Sequence, residues 1–505
     1  MTMEPVDLSG GKEEKKLYKY QKESIEAIFE RIDKYRNGYN LLFQLPTGGG
    51  KTVIFSELSR RYIEMTNKRV LILTHRIELC GQTSRMLDNL GVKNKIIDSK
   101  VKDLPEKKDF MCFVAMVETL NNRLNEEKIE MEDVGLLIID EAHYNSFRKL
   151  FKYFSKQIIL GVTATPLSSN VKLPLKDNYN ELIVGESITS LIGQGYLAKA
   201  STYNYDVNLR SLKVGINGDY TVSSSEKLYS NFLMQEKLLY AYEEKSKGAK
   251  TLIFNNGINT SKAVYEMFLE EGYEIRHLDN THSEKERADI LKWFKEKPDA
   301  ILSSVSILTT GFDEPTVDTI ILNRATKSLT LFHQMIGRGS RILNNKKNFT
   351  VIDLGNNARR FGLWESHVDW QQIFKTPNTY LEGLYSDEEI ERQFVYVLSD
   401  DIKAKFPKTT FEKFEIKDEY KKSMDAGERP IEAIYRSIAS HKKMILENTE
   451  DVFDALELAE LLEKEVQYRV KRFSYCIAKS TKNYLDWMQE DYMRKLKQQL
   501  RQELN

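Results

Sequence analysis

Short apolar runs alternate along this chain with stretches whose apolar residues recur every three or four positions, and the alternation occurs twice. In the first round the runs are YNLLFQL (Tyr39–Leu45), RVLILT (Arg69–Thr74), FMCFVAM (Phe110–Met116), VGLLIID (Val134–Asp140) and KQIILGVTA (Lys156–Ala164). They carry little polar alternation, as strands buried on both faces do, and so predict a parallel sheet with helices on each side. TVIFSELSRRYIEM between two of them is apolar on one helical face. The second round offers KTLIFNN (Lys250–Asn256), EIRHLD (Glu274–Asp279), AILSSVS (Ala300–Ser306), DTIILNR (Asp318–Arg324) and FTVIDL (Phe349–Leu354) as strands. SKAVYEMFLEEG and EKERADILKWFKEK are its crossover helices. The stretch 199–248 is less regular, and a small strand pair is predicted near Thr202–Val207 and Asp219–Val222. Past 377 the chain turns charged and helical. There Val452, Leu456, Ala459, Leu462, Val466, Val470, Phe473 and Ile477 mark one face of a single long helix. That face reads as core or hairpin packing, with a docking surface for a protein partner as the alternative.

The expected fold is therefore α/β: two tandem parallel-sheet lobes flanked by helices, plus a mostly helical C-terminal domain. The expected divisions are a disordered polar leader at 1–14, lobe one at 15–198, a connecting stretch with lobe two at 199–376, and an accessory domain at 377–505. A length of 505 residues agrees with two to four domains. Lys+Arg and Asp+Glu are equal at 75 each, so no overall basicity advertises a polyanion; one basic groove would suffice for such a partner. Cys80, Cys112 and Cys476 lie far apart with no C-x-x-C pair, which argues against a disulfide framework and a cysteine-based zinc site. No run approaches the ~20 apolar residues of a membrane span. The expectation is a reduced, soluble, cytoplasmic protein.

Two segments carry chemistry. LLFQLPTGGGKT ends a strand and opens a helix. Its consecutive glycines let backbone N–H groups wrap phosphates at a helix N-terminus, where partial positive charge already sits. Lys51 would reach the β and γ phosphates and Thr52 would bind Mg²⁺. Leu45 stands where the general phosphate-loop pattern has its first glycine. Farther on, LLIIDEAH (Leu136–His143) is an apolar strand ending in two carboxylates. Asp140 would hold Mg²⁺ and Glu141 would polarise the attacking water, in a reaction governed by positioning and charge stabilisation.

With both segments in place the sequence resembles superfamily 2 helicases of the DEAD/DEAH-box type, over about residues 17–374. P-T-G-x-G-K-T is the helicase form of the phosphate loop, formed here by Thr47, Gly48, Gly49, Gly50, Lys51 and Thr52. LYKYQ is similar to the upstream adenine-reading motif, with Gln21 at the base-contacting position. LTHRIEL and VETL resemble motifs Ia and Ib, and GVTATP resembles motif III. LIFNN, LTTGFDEP and HQMIGRGSR resemble motifs IV, V and VI.

The resemblance implies ATP and Mg²⁺ as cofactors and a nucleic acid, DNA rather than RNA, as partner. It implies catalytic roles for Lys51, Asp140, Glu141, Gln334, Arg338 and Arg341, the two arginines acting as fingers. His143 would sense the γ phosphate with Gln334, and Gly311 and Asp313 would face the nucleotide. Thr74, Arg76, Thr119, Asn255 and Thr309 would grip the nucleic-acid backbone. Within the superfamily the flavour is that of bacterial RadD-like and phage-type DEAH helicases. Thr310, where many relatives carry Glu, and the lack of a cysteine cluster in the tail depart from it. The aromatics Phe361, Trp364, Trp370 and Tyr380 are assigned no role.

A helicase or translocase working in repair, recombination or defence is thus expected. One alternative is the motor subunit of a restriction or defence nuclease complex. Another is a non-catalytic, nucleotide-gated scaffold, although degenerate motors usually lose the base or the fingers, all present here.

Overall fold

The computed structural model describes residues 17–35, 37–98, 109–125, 133–305, 307–309, 311–394, 396–410, 414–477 and 482–504. The expected leader and Thr310 lie outside these residues. Two compact units emerge, Met1–Asp387 and Glu388–Asn505.

The first unit holds two sheets. Strands β1 (Asn40–Gln44), β2 (Arg69–Thr74), β3 (Asn94–Ile97), β4 (Cys112–Met116), β5 (Val134–Asp140), β6 (Ile158–Thr163) and β7 (Glu181–Val184) form lobe one. Their order is β3-β4-β2-β5-β6-β1-β7, and every pairing is parallel. Successive residues point to opposite faces. Leu41, Phe43, Val70, Ile72, Leu136 and Ile138 therefore enter one core, while Leu42, Leu71, Leu73, Leu137 and Ile139 enter another. Burial on both sides is what made these runs read as continuous apolar stretches.

Lobe two contains β8 (Lys199–Asn204), β9 (Thr251–Asn255), β10 (Ile275–Leu278), β11 (Ile301–Val305), β12 (Thr319–Asn323) and β13 (Asn348–Asp353). They lie in the order β10-β11-β9-β12-β13-β8, again all parallel. The predicted strand pair in the connecting stretch is corrected here. Residues Lys199–Asn204 form the edge of the second sheet, in register with β13 from Lys199 against Asn348 to Asn204 against Asp353. Near Asp219 only an isolated bridge joins Val214 to Tyr220, and a helix starts at Val222. Local pattern cannot reveal a partner that arrives so much later in the chain.

The first unit also runs past the expected boundary at 377. Buried Arg360 pairs with Asp387 and donates to the Tyr385 carbonyl at 2.8 Å, tying this segment to lobe two. Trp364 is buried edge-on against Phe349, a core aromatic.

The second unit is helical, with its main helices at Ile416–Asp425, Glu432–Leu446, Val452–Leu461, Glu463–Ser474 and Lys482–Leu504. The long helix expected over 452–477 is two helices that meet at Leu462. Ala455, Ala459, Leu462, Val466, Val470 and Phe473 still share one core, so the periodicity survives the break and concealed it. Among the described residues no helix is long and apolar enough to cross a membrane.

Candidate nucleotide site and nucleic-acid interface

Parallel strands put all their C-terminal ends on one edge of the sheet, and loops at that edge build ligand sites. In lobe one β5, β6 and β1 are neighbours, so the loops after them converge. These are the Asp140–His143 segment, the Thr163–Pro166 turn and the Pro46–Gly50 loop.

The loop after β1 depends on its glycines. Gly48 and Gly50 have φ of 90° and 80°, a left-handed region that costs other residues energy. A Cβ on Gly50 would also lie 2.7 Å from Gln21 Nε2, and one on Gly48 would lie 2.8 Å from Ser340 Oγ. Tyr20 reaches over from the N-terminal helix, its hydroxyl donating to the Gly49 carbonyl at 2.9 Å. Lys51, first residue of the helix Lys51–Thr66, folds back to donate to the Leu45 and Pro46 carbonyls at 3.3 and 3.5 Å. Burial pushes its ammonium pKa below the ordinary lysine value, against the pull of Glu141 and Asp140. Thr52 follows on the same turn, half-buried.

Asp140 ends β5, buried, and accepts the Glu141 N–H at 3.0 Å. Glu141 has φ of 51°, strained for a residue with a Cβ. Such strain concentrates at functional sites. Burial, and next the Glu141 charge, push Asp140 up to about 7. Burial pushes Glu141 up as well, but Lys51, His143, His75 and Arg338 outweigh it and keep the carboxylate ionised below its usual range. His143 Nδ1 lies 3.3 Å from Glu141 and 3.1 Å from the Thr163 hydroxyl, so motif III holds the histidine.

Lobe two closes on this edge. Arg341 donates to the Gly48 carbonyl at 2.9 Å and pairs with Asp313 at 2.8 Å. Arg338 donates to the Thr309 and Phe312 carbonyls, and burial lowers its pKa to about 10. Gly337 packs on Thr47, where a Cβ would meet the threonine Cβ at 2.6 Å. Gln334 is buried and faces Tyr144. Gly311 has φ of 75°, and its carbonyl accepts from Gln82 of lobe one. Lys51, Asp140, Glu141, His143, Gln334, Arg338 and Arg341 thus come together. Gln21 stands beside Gly50, its Oε1 accepting the Tyr18 N–H at 3.0 Å.

The expected gripping residues divide. Arg76 donates to the Ile307 carbonyl of lobe two at 3.1 Å. Thr119 is half-buried at the start of the helix Val117–Asn125, and Thr309 is buried beside Arg338. Thr74 and Asn255 are fully enclosed. The Thr74 hydroxyl donates to the Arg76 carbonyl at 3.0 Å; the Asn255 amide donates to Ser303 at 3.0 Å and accepts from Asn323 at 2.8 Å. Both side chains are hydrogen-bonded inside the fold and lie away from the surface, unlike the half-buried Thr119.

Sequence reasoning missed Tyr20, His75 and Tyr144. His75 and His143 pack against Tyr144 with tilted rings, centroids 4.2 and 4.3 Å away, beside Glu141. Burial lowers His75 to about 4. Adjacency to Gln21 and His143 was the only signal for the two tyrosines, and a weak one.

Residues 14–168 match the family model "Type III restriction enzyme, res subunit", and residues 231–343 match "Helicase conserved C-terminal domain". A Saccharomyces cerevisiae protein provisionally named ATP-dependent helicase IRC3 is 30% identical over 66% of this chain and 50% of its own length. A 51.5 kDa protein of a Lactococcus phage is 27% identical over 66% of this chain and 70% of its own. The chain thus spans only half the length of the yeast relative. The fold is that of a type I restriction-enzyme fragment from Vibrio vulnificus YJ016, provisionally named an HsdR subunit. The two agree with a TM-score of 0.51 at 20% identity, over 71% of this chain and 65% of that one. Two successive helicase-type family models, in the order and on the lobes that hold the two halves of this site, place the chain: it belongs to the superfamily 2 helicases.

Proposed function

We propose that this chain is an ATP-driven motor that moves along or remodels DNA, hydrolysing ATP where its lobes meet. The observation that carries this reading is the hydrogen bond from Arg341 of lobe two to the phosphate-loop carbonyl of Gly48. It brings the fingers across the cleft to the loop that lies beside Asp140 and Glu141 on lobe one.

The residues fit ATP with Mg²⁺. Thr47 Oγ1, in the phosphate loop, is a buried polar atom with no hydrogen-bond partner among the described residues, and such an atom calls for one. Gly48, Gly49, Gly50 and Lys51 would hold the phosphates, Thr52 and Asp140 the metal, and Gln21 the base. When bound, Mg²⁺ neutralises charge on the phosphoryl oxygens. Glu141, kept ionised by Lys51 and fixed by its backbone, orients the water. His143 positions Glu141. Arg338 and Arg341 stabilise the charge that develops, a contribution on the order of 10³–10⁵ in rate that is lost when the cleft opens. Gripping by Arg76, Thr119 and Thr309, with both lobes on one strand, would turn each cycle into movement. The restriction-subunit match of lobe one favours DNA as the track.

The test is steady-state ATPase of the wild type and Glu141→Gln, alone and with single-stranded DNA, duplex, forked DNA and RNA. Stimulation by a DNA ligand that Glu141→Gln abolishes is expected. Stimulation by RNA alone would overturn the track. No turnover with any ligand would overturn the stand-alone motor. The same match supports a second reading, the motor subunit of a restriction or defence complex, with the helical second unit docking its partner. Co-purification of a nuclease with the second unit, lost on its deletion, would favour that reading.

A further inference from the structure

Lobe two carries a cluster that the nucleotide chemistry leaves unused. Where β10 turns toward the helix Glu284–Glu296, His277, Asp279 and His282 each offer one ligand-capable atom within 4.8 Å of the others. The Asp279 side chain is fully buried, and those of His277 and His282 are 10% and 22% exposed. The imidazoles flank the carboxylate, His277 Nε2 lying 2.9 Å from Oδ2 and His282 Nδ1 lying 3.3 Å from Oδ1.

The character of the second contact is set by the His282 tautomer. The Asp279 backbone N–H donates to the same His282 Nδ1 at 3.3 Å. A ring nitrogen that accepts a hydrogen bond has no proton to give on that side. In the tautomer that accepts this bond, Nδ1 and Oδ1 present lone pairs to each other at 3.3 Å, and a cation between them converts that contact into attraction. The supports are also in place. Ser261 Oγ lies 2.8 Å from His277 Nδ1 and 2.8 Å from Ser303 Oγ. Thr281 donates to Asp279 Oδ1 through its N–H at 2.7 Å and its hydroxyl at 2.6 Å. Partners of this kind orient the imidazoles and carboxylates that bind metals.

We propose that His277, Asp279 and His282 bind one divalent transition-metal ion, Zn²⁺ by class. Two imidazoles and a carboxylate match the nitrogen–oxygen donor set of zinc, leaving a fourth tetrahedral position to water, whereas Mg²⁺ and Ca²⁺ want oxygen alone. The spacing H-x-D-x-x-H needs no cysteine, which is why a cysteine count passes over it. On binding, Nε2 of His277 turns its lone pair to the ion and its Nδ1 proton to Ser261. The ion would stiffen the turn entering the helix whose Arg287 pairs with Glu78 of lobe one at 3.2 Å.

The experiment uses tag-free full-length protein, stripped with chelator and free of nucleotide. Zn²⁺ is titrated against a chromophoric zinc indicator, and Co²⁺ uptake is followed by visible absorption. One saturable equivalent and a four-coordinate cobalt spectrum are expected. Ser261→Ala, which touches no ion, should weaken binding about 10–100-fold, and His282→Ala should weaken it more. Far-ultraviolet circular dichroism and melting of His282→Ala, at the more exposed ligand, establish that the variant is folded. Absence of a saturable equivalent, unchanged affinity in folded His282→Ala, or displacement of the ion by millimolar Mg²⁺ would each overturn the site.

Discussion

At Gly50 two constraints coincide, a φ of 80° and a would-be Cβ 2.7 Å from Gln21 Nε2. Gly50→Ala is therefore expected to cost about 1–2 kcal/mol from the left-handed backbone alone, and to disturb the residue proposed to read the base. Equilibrium unfolding and binding of a fluorescent ATP analogue measure the two effects; unchanged nucleotide affinity would refute the second. Arg338 and Arg341 are held differently, one against lobe-two carbonyls and the other across the cleft. Alanine at either should lower DNA-stimulated turnover on the order of 10³-fold or more while sparing ATP binding, and a mere tenfold loss would argue against fingers. The chemistry of this site was legible in the sequence because phosphate binding and water activation dictate residue types at fixed spacing. Tyr144 and His75 were not legible: these rings take their place by packing on one another, and ring packing leaves no spacing rule. The enclosure of Thr74 and Asn255 was equally hidden, since a motif position does not say whether a side chain points out or in.

Strands buried on both faces were the easiest elements to read, whereas β3, β7 and β8 were missed as strands of their sheets. β3 and β8 are edge strands with exposed positions, and β7 lies at the other edge of lobe one. The helical unit hides a polar cluster behind an apolar stripe. Arg469 bonds to Glu465 and to Ser437 at 3.1 Å, Ser437 to Tyr492 at 2.8 Å, and Tyr492 to His441 at 2.9 Å. Burial lowers His441 to about 4. Burial raises Glu465, but the His441 imidazole, its Nε2 3.6 Å from Oε1, and the Arg469 charge prevail and bring it to about 2. An unfolded histidine protonates near 6.5 and a glutamate near 4.3. The unfolded chain thus takes up protons first, and stability falls as pH drops. The histidine contribution is lost from about 6.5 down to about 4, and the glutamate contribution from about 4.3 down to about 2. Melting of the second unit should decline across the upper window, and His441→Gln should flatten that decline. A decline unchanged in the variant would assign it elsewhere.

Across the whole first unit, contacts between lobes rest mostly on backbone carbonyls: Gly48, Ile307 and Gly311 accept from Arg341, Arg76 and Gln82. Thr165 of lobe one adds a 2.7 Å hydroxyl bond to Thr330 of lobe two. Carbonyls are constant under substitution, so the cleft is controlled through the donors. The Glu78–Arg287 pair is partly exposed and should contribute no more than about 1 kcal/mol, a coupling that a double-mutant cycle on thermal unfolding would measure. Nucleic-acid gripping should behave otherwise. If backbone contacts dominate, half-saturating DNA for ATPase stimulation will rise steeply with salt, with a log–log slope of about 0.7–0.9 per phosphate engaged. A flat response would contradict a motor that holds its track by charge.

Strand β8 has one neighbour, and that neighbour is β13, the last strand of its sheet to leave the ribosome. Lobe one can finish its sheet once β7 is made, but lobe two carries an unsatisfied edge throughout the synthesis of everything between β8 and β13. Exposed edges invite pairing with other chains. The order of synthesis therefore leaves one lobe able to fold while the other waits, and truncations that end before β13 should yield a sound first lobe trailing an aggregation-prone remnant.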